Sequence, residues 1–247
     1  MHTRKHCRSL ARACAALPAL VLATACWAHQ APADAHSPIL PLRNPIPGAN
    51  ALTGLPDGAV TTLSLDDLPP WSRAIYDEDL RADRIGYKMV DDQVVGDVLG
   101  RYRDVLEPAA PDVPATSMSG IDLQRSDLAR LRYLGRIPGL RLDRQLLSAT
   151  LVFERADQVP LFLEEFRFAD APGGAILMMR ELLNAQVGAH PARVVIQKTR
   201  SGLSRSVLIW AAGGTEYRLS VFDDVDVPRA QHWNRAWLLG LAASLGT

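Results

Sequence analysis

The chain has 247 residues and carries equal numbers of basic and acidic side chains, 27 of each. Four of the basic residues lie within the first 12 positions, so the rest of the chain has a formal charge of −4. A surface of that sign offers no excess positive potential to a polyanion, which argues against nucleic-acid binding.

The N-terminus has the pattern of a secretory signal peptide, which we predict over residues 1–25. A basic segment without acids leads into the uncharged run ACAALPALVLATA, which ends in small residues. This run is too short for a transmembrane helix, which needs about 20 apolar residues. We therefore expect an exported protein that is periplasmic or membrane-anchored, with an uncleaved N-terminal anchor as the alternative.

All three cysteines lie within the first 26 residues, so the rest of the chain has no internal disulfide or cysteine-based metal site. The last cysteine, Cys26, ends the stretch LATAC, which resembles the bacterial lipoprotein signal. Ala23 departs from that pattern, because the usual Leu stands one position earlier, at Leu22. The resemblance implies that Cys26 is lipidated and begins the mature chain. Cleavage without lipidation, beside Cys26 or after Ala35, is the alternative.

Residues 26–60 are predicted to form a disordered, proline-rich tether, because proline denies the backbone regular hydrogen bonds. Within it, the stretch ILPLRNPIP keeps apolar residues between the prolines and is an alternative docking strip for a partner. Residues 61–247 are predicted to form a single α+β domain. It would contain a helical part, 64–135, and a sheet-containing part, 140–247.

Three helices are predicted in the helical part. The first begins with the capping residue Ser64, and the second covers MVDDQVVGDVLGRYRDVLEP, which has one broad apolar face and ends at Pro108. The third, IDLQRSDLARLRYLG, would be capped by Ser119 or Asp122.

The sheet-containing part begins with LLSATLVFE, whose β-branched residues predict a strand. Next, VPLFLEEFRF favours a helix over a strand, and AILMMRELLNAQVG predicts a strongly apolar helix. Three strand-like runs then follow, joined by Ser201-Gly202 and Gly213-Gly214, which are good hairpin turns. The last helix lies within RAQHWNRAWLLGLAASL.

These elements indicate an α+β fold: an antiparallel sheet, made of the C-terminal three-stranded meander and a preceding strand, covered by helices. The C-terminal third resembles small envelope modules such as the lipoprotein-carrier domains. That resemblance covers about 60 residues, rests on the hairpins and an unspecific W…GG…Y-x-L pattern, and transfers no site residue.

No catalytic motif is found. The stretch Gly202–Ser206 lacks the second glycine of a nucleophile elbow, Gly173-Gly174 lacks the lysine of a phosphate loop, and none of the histidines beyond residue 26 is paired locally. The acidic cluster Asp223, Asp224 and Asp226 could bind calcium or, more commonly, end a strand and cap a helix. Asp91-Asp92 and Glu164-Glu165 are interpreted as solvated helix faces.

Two apolar features have alternative interpretations. The run from Ile176 to Leu183 indicates core, or the lining of a cavity for an acyl chain. Trp233 and Trp237 indicate core anchors, or hot spots for a protein partner.

The sequence therefore favours a non-enzymatic cell-envelope (lipo)protein that serves as a protein-interaction, assembly or regulatory module. Its expected partners are an envelope protein and, through Cys26, a membrane. A periplasmic carrier or sensor of an apolar ligand is the alternative, and an enzyme ranks third. No cofactor, metal or catalytic residue is predicted, and Cys26 is the one site residue.

Overall fold

The computed structural model describes residues 39–41, 58–110, 115–171, 174–227 and 232–247. Cys26, the predicted signal peptide and most of the predicted tether lie outside these residues. The described α-helices are α1 Pro70–Arg73, α2 Asp77–Ile85, α3 Asp92–Val95, α4 Val98–Tyr102 and α5 Arg235–Ala243. None of the helices in this part of the chain is long and apolar enough to cross a membrane.

The described strands are β1 Ile39–Pro41, β2 Val60–Leu63, β3 Lys88–Met89, β4 Glu107–Pro108, β5 Arg132–Pro138, β6 Arg141–Leu142, β7 Gln145–Leu146, β8 Ser148–Glu154, β9 Pro160–Phe166, β10 Ile176–Met179, β11 Ala185–Val187, β12 His190–Lys198, β13 Ser204–Ala212 and β14 Thr215–Val221. Nine of them form one sheet in the order β11-β12-β13-β14-β9-β8-β5-β4, with β3 also paired to β12. Only β3 pairs in parallel within this sheet. The α+β class is thus confirmed, but the predicted meander plus one strand is only part of a much larger sheet.

The C-terminal meander forms as predicted. Strands β12, β13 and β14 pair in antiparallel order, and Gly213 and Gly214 make the second turn with φ of +54° and +78°. Positive φ at both central residues matches the right-handed twist of the flanking strands. A Cβ on Gly214 would also lie 2.6 Å from the Cβ of Ala169, so two separate constraints require glycine there.

Two segments predicted as helices are strands. VPLFLEEFRF forms β9, between β8 and β14, and AILMMRELLNAQVG forms β10, a 3-10 turn and β11. Leu161 and Leu163 of β9 pack in one core cluster, whereas Phe162 packs in another on the opposite face. A strand that is buried on both faces has a continuous apolar run, which resembles the sequence of a buried helix.

The helices of residues 64–135 are shorter than predicted. Ser64 and Asp67 form a capping box, as the sequence indicates, but it begins a 3-10 turn, Leu65–Asp67. The second predicted helix breaks at Gly96, because Asp97 caps α4 by accepting from the Gly100 N–H at 2.7 Å. The third is two 3-10 turns, Leu123–Arg125 and Asp127–Arg130, followed by β5.

Apolar clusters lie on both faces of the nine-stranded sheet. We call front the face that bears Trp210, Leu219 and Leu163, which pack in one cluster with Leu238 and Leu241 of α5. The back face carries two smaller clusters. In the first, called the β10 cluster, Ile176 and Met178 contact Val207, Ile209 and Ala211; in the second, called the α4 cluster, Val98 packs with Ile137, Val152 and Phe162.

A buried ion network joins α2 to β12. The Asp79 carboxylate lies 3.0 Å from Lys88 Nζ and 3.3 Å from Arg193 Nη1, and Arg193 Nη2 lies 3.1 Å from Asp83. The side chains of Asp79 and Arg193 are only 2% and 1% exposed. Removing one partner from such a network leaves an uncompensated charge in a site of low dielectric constant.

We therefore expect Asp79→Asn to lower the free energy of unfolding by about 3–5 kcal/mol, because Lys88 and Arg193 lose their shared counter-charge. The matched control is Asp77→Asn, an exposed position in the same helix, which should change it by less than about 0.5 kcal/mol. Urea denaturation of the three proteins measures both values. Equal effects of the two substitutions would contradict the role of the network.

The outer edge of β12 is paired partly with short strands and partly with one side chain. Strands β11 and β3 pair with its two ends, and Asn184 lies beside the middle. The Asn184 amide donates to the Val194 carbonyl at 2.9 Å and accepts from the Val194 N–H at 2.7 Å. Asn184 thereby replaces a missing ladder residue and protects an edge that would otherwise be open to pairing.

Asn184→Ala should lower the free energy of unfolding by about 1 kcal/mol, because both Val194 backbone groups lose their partner. Gln186→Ala, an exposed position on β11, is the control and should have little effect. Urea denaturation measures the difference, and hydrogen exchange of the Val194 amide should accelerate only in the Asn184 variant. An unchanged exchange rate would show that another group pairs with Val194.

Candidate functional site

A row of charged side chains crosses the back face of the sheet. Glu216 and Arg218 are two residues apart on β14, Glu164 is the cross-strand partner of Arg218 on β9, and Arg205 extends from β13. Side chains on a strand alternate between faces, so residues 216 and 218 point to the same side. The signs alternate along the row, and we refer to these four residues as the charged row.

The row is held by defined contacts. Arg218 Nε donates to Glu216 Oε1 at 2.7 Å, and Arg205 Nη2 lies 3.4 Å from Glu164 Oε1. Arg205 Nη2 also donates to Ser220 Oγ at 3.1 Å, and its guanidinium lies 5.3 Å from the ring centre of Phe222. The two guanidinium groups are therefore positioned by neighbours on their own strands and across the sheet.

The middle of the row reaches solvent. Val207 and Ile209, in the β10 cluster, lie on one side of β14, and Phe162, in the α4 cluster, lies on the other. Between these two clusters, the side chains of Arg218 and Glu164 are 29% and 37% exposed. The centre of the back face is thus polar and accessible, whereas both of its flanks are apolar and covered.

The ends and the centre of the row differ in their environment. Glu216 is only 4% exposed, and burial raises the pKa of its carboxyl even though the Arg218 charge and hydrogen bond lower it. Burial lowers the pKa of Arg218, but the charges of Glu216 and Glu164 outweigh that effect and raise it. Arg218 therefore stays charged and fixed by a buried carboxylate.

The prediction that Glu164 and Glu165 lie on one solvated helix face is wrong. They are successive residues of β9 and therefore point to opposite faces. Glu165 is 1% exposed on the front face and accepts hydrogen bonds from the hydroxyls of Ser117 and Ser119 and, at 2.7 Å, from the Met118 N–H. This carboxylate anchors the 117–119 segment to the sheet.

The acidic cluster at the end of β14 does not converge. Asp223 lies 3.0 Å from Arg155, Asp224 lies 2.8 Å from Lys198, and Asp226 pairs with Arg235. Within the described ranges, no group of three His, Cys, Asp or Glu side chains is arranged to hold a metal ion. Of the two interpretations of this cluster, ending a strand is the one that the contacts support, because each carboxylate has its own cation.

The other polar residues singled out in the sequence do not meet this cluster. His190 Nε2 lies 3.1 Å from the Thr247 carbonyl, and His232 is exposed. The Gly202–Ser206 stretch spans the β12–β13 turn and the start of β13, with Gly202 at a φ of +89°. Gly174 precedes a strand, and Asp92 binds Ser201 at the tip of that turn. None of these places assembles a catalytic group.

The two C-terminal tryptophans hold a buried arginine. The rings of Trp233 and Trp237 meet edge to face, 4.9 Å apart, and the Arg155 guanidinium lies 4.8 Å from the centre of the Trp233 ring. Arg155 also binds Asp157, and that hydrogen bond lowers the pKa of the Asp157 carboxyl. Cation–π contacts are stronger when the cation is desolvated, as the buried Arg155 is. Through these contacts Arg155 connects the start of α5 to the β8–β9 turn.

The apolar run that begins at Ile176 lies in the core. All four side chains of β10 are buried, with Ile176 and Met178 in the β10 cluster and Leu177 and Met179 in a third cluster with Tyr76. A cavity of about 80 Å³ lies elsewhere, and its lining residues are Ala115, Leu123, Gln124, Leu128, Ala129, Leu131, Tyr133 and Phe153. Pockets for drug-sized ligands are several times larger, about 300–1,000 Å³.

Sequence reasoning missed the charged row. Arg205, Glu216 and Arg218 were not candidates, and the one available signal was the alternation of charges in TEYRLS, inside a strand that is otherwise apolar. No protein-family model, curated protein or solved structure matches the chain. The candidate site is therefore defined by its geometry alone.

The raised pKa of Glu216 predicts a specific pH dependence. The folded state keeps this proton where the unfolded chain, with an ordinary pKa of 4.5, has lost it. The corresponding stability is present below pH 4.5 and is lost as the pH rises through the folded-state pKa. The wild type should therefore lose stability relative to Glu216→Gln as the pH rises above 4.5.

Denaturation of both proteins over a pH series measures this difference. A carboxyl ¹³C titration by NMR, with the signal assigned by its absence in Glu216→Gln, measures the pKa directly. A Glu216 pKa at or below 4.5 would contradict the prediction.

Proposed function

We propose that this protein is an exported cell-envelope (lipo)protein, anchored through acylated Cys26, whose folded part is a non-enzymatic protein-interaction module with an assembly or regulatory role. The single observation that supports a binding role is the charged row, because its centre is exposed between two covered apolar clusters. A rigid pattern of alternating charges favours specific partners, since a mismatched surface would place like charges together.

The pairing of the remaining ionic groups supports a role without catalysis. The network around Asp79, the carboxylate of Glu165 and the three aspartates after β14 are each bound by groups of the same fold. Catalytic acids and bases instead have to exchange protons with a substrate, which requires an accessible group in hydrogen-bond reach. The membrane anchor is supported by the stretch LATAC and by the basic N-terminus.

The carrier hypothesis has less support. It depended on an apolar helix beside a cavity, and that segment is a strand with all four side chains packed in the core. The module hypothesis therefore has the stronger support.

The anchor is tested by the intact mass of the protein purified from bacterial membranes. We expect a chain that begins at Cys26 and carries a diacylglyceryl group and an N-acyl chain, and Cys26→Ser should lose both lipids and enter the soluble fraction. An unmodified wild-type mass would contradict the anchor.

The interaction role is tested in the same cells by formaldehyde cross-linking. We expect a cross-linked adduct that is lost in Glu164→Ala, which alters the charged row. It should persist in Glu107→Ala, which removes a comparably exposed carboxylate paired with Arg136 at the sheet edge. An adduct that is insensitive to Glu164, or no adduct at all, would contradict the charged row as the binding surface.

A further inference from the structure

Arg218 presents unused hydrogen-bond donors at the centre of the charged row. Its Nε donates to Glu216, whereas its two Nη groups donate no hydrogen bond to any residue that the structure describes. A guanidinium carries five N–H donors in a planar fork that matches the two oxygens of a carboxylate. The exposed part of Arg218 therefore offers unused N–H donors to a planar oxyanion.

The fork is rigid before any ligand arrives. The buried Glu216 carboxylate holds Arg218 at Nε, and β14 is hydrogen-bonded to a neighbouring strand on each side. An arginine that is already immobilised loses little side-chain entropy on binding. Arg132 on β5 differs in two respects: its side chain is 67% exposed, and its Nε and Nη2 both already donate to Glu154.

Glu164 adds a site of opposite charge next to the fork. It is the cross-strand partner of Arg218, so the two Cα atoms are about 4.5–5.5 Å apart. Its contact with Arg205 is long, at 3.4 Å, and its side chain is 37% exposed. The accessible centre of the row is thus one guanidinium beside one carboxylate.

We propose that Arg218 and Glu164 form a docking site for a partner protein that presents an acidic and a basic side chain side by side. The acidic side chain binds the Nη groups of Arg218, and the basic side chain binds Glu164. This inference rests on the proposed function and names the chemistry of the partner.

The surrounding charges favour a protein carboxylate over a phosphate. Glu216 and Glu164 both lie beside Arg218, and their charges repel a doubly charged anion more strongly than a singly charged one. The row has two acidic and two basic side chains, a composition that does not favour a polyanion such as an anionic membrane. A paired acidic and basic side chain neutralises both exposed members of the row at once.

The test is an NMR titration of the purified, ¹⁵N-labelled protein with the peptide acetyl-Glu-Gly-Lys-amide. The reporters are the backbone amides of Glu164, Arg218 and Ser220. We expect saturable shifts in the wild type and in the control Arg132→Lys. Arg218→Lys keeps the charge beside Glu216 but removes the fork, so binding should weaken about tenfold. The peptide acetyl-Gln-Gly-Lys-amide should bind the wild type equally weakly.

Three results would overturn the proposal: no saturable shift in the wild type, equal affinity of the wild type and Arg218→Lys, or tighter binding of inorganic phosphate than of the peptide at the same amides. The last result would identify a simple oxyanion site. The proposed function is tested by separate readouts. These are the intact mass of the protein, which reports the lipids on Cys26, and the cross-linked adduct that depends on Glu164. If that adduct forms but the peptide does not bind, the module hypothesis stands and the docking chemistry is wrong.

Discussion

The buried carboxylate of Asp79 determines how the N-terminal helices pack on the sheet. It lies between two cations, Lys88 on the edge strand β3 and Arg193 on β12. A buried charge is tolerated only when its counter-charges stay in place, so the three elements that carry these residues have to dock together. The nearby Tyr76 hydroxyl experiences the same environment, because burial and the Asp79 charge raise the pKa of Tyr76 to about 12.

That docking has consequences for the rest of the back face. Tyr76 packs in the third apolar cluster with Leu177 and Met179 of β10, and the other face of β10 packs on β13. The strand is therefore sandwiched between the helical segment and the sheet. On the far side, α4 packs on β8 and β9 through Val98 and Val152. The charged row lies where neither layer covers the sheet, which explains why polar residues occupy its centre.

On the front face, polar contacts at the rim of the apolar core hold the covering segments in place. Glu165 binds the 117–119 segment, Arg155 stacks on the tryptophans near α5, and Ser244 Oγ accepts from the Asp127 N–H at 2.9 Å. These contacts lie around the Trp210 and Leu219 cluster. Each of these contacts fixes the orientation of the segment that it holds, whereas apolar burial is non-directional.

The sequence by itself determined the features that depend on neighbouring residues: the glycine pair of the β13–β14 turn, the capping box at Ser64, the C-terminal helix and the meander. The acylation of Cys26 also depends on a local motif and stays a prediction. Only the tertiary structure decided that β9 and β10 are strands, because an apolar run buried on both faces has no period that separates strand from helix. The charged row is likewise tertiary, since Arg205, Glu164 and Arg218 become neighbours only through the register of three strands.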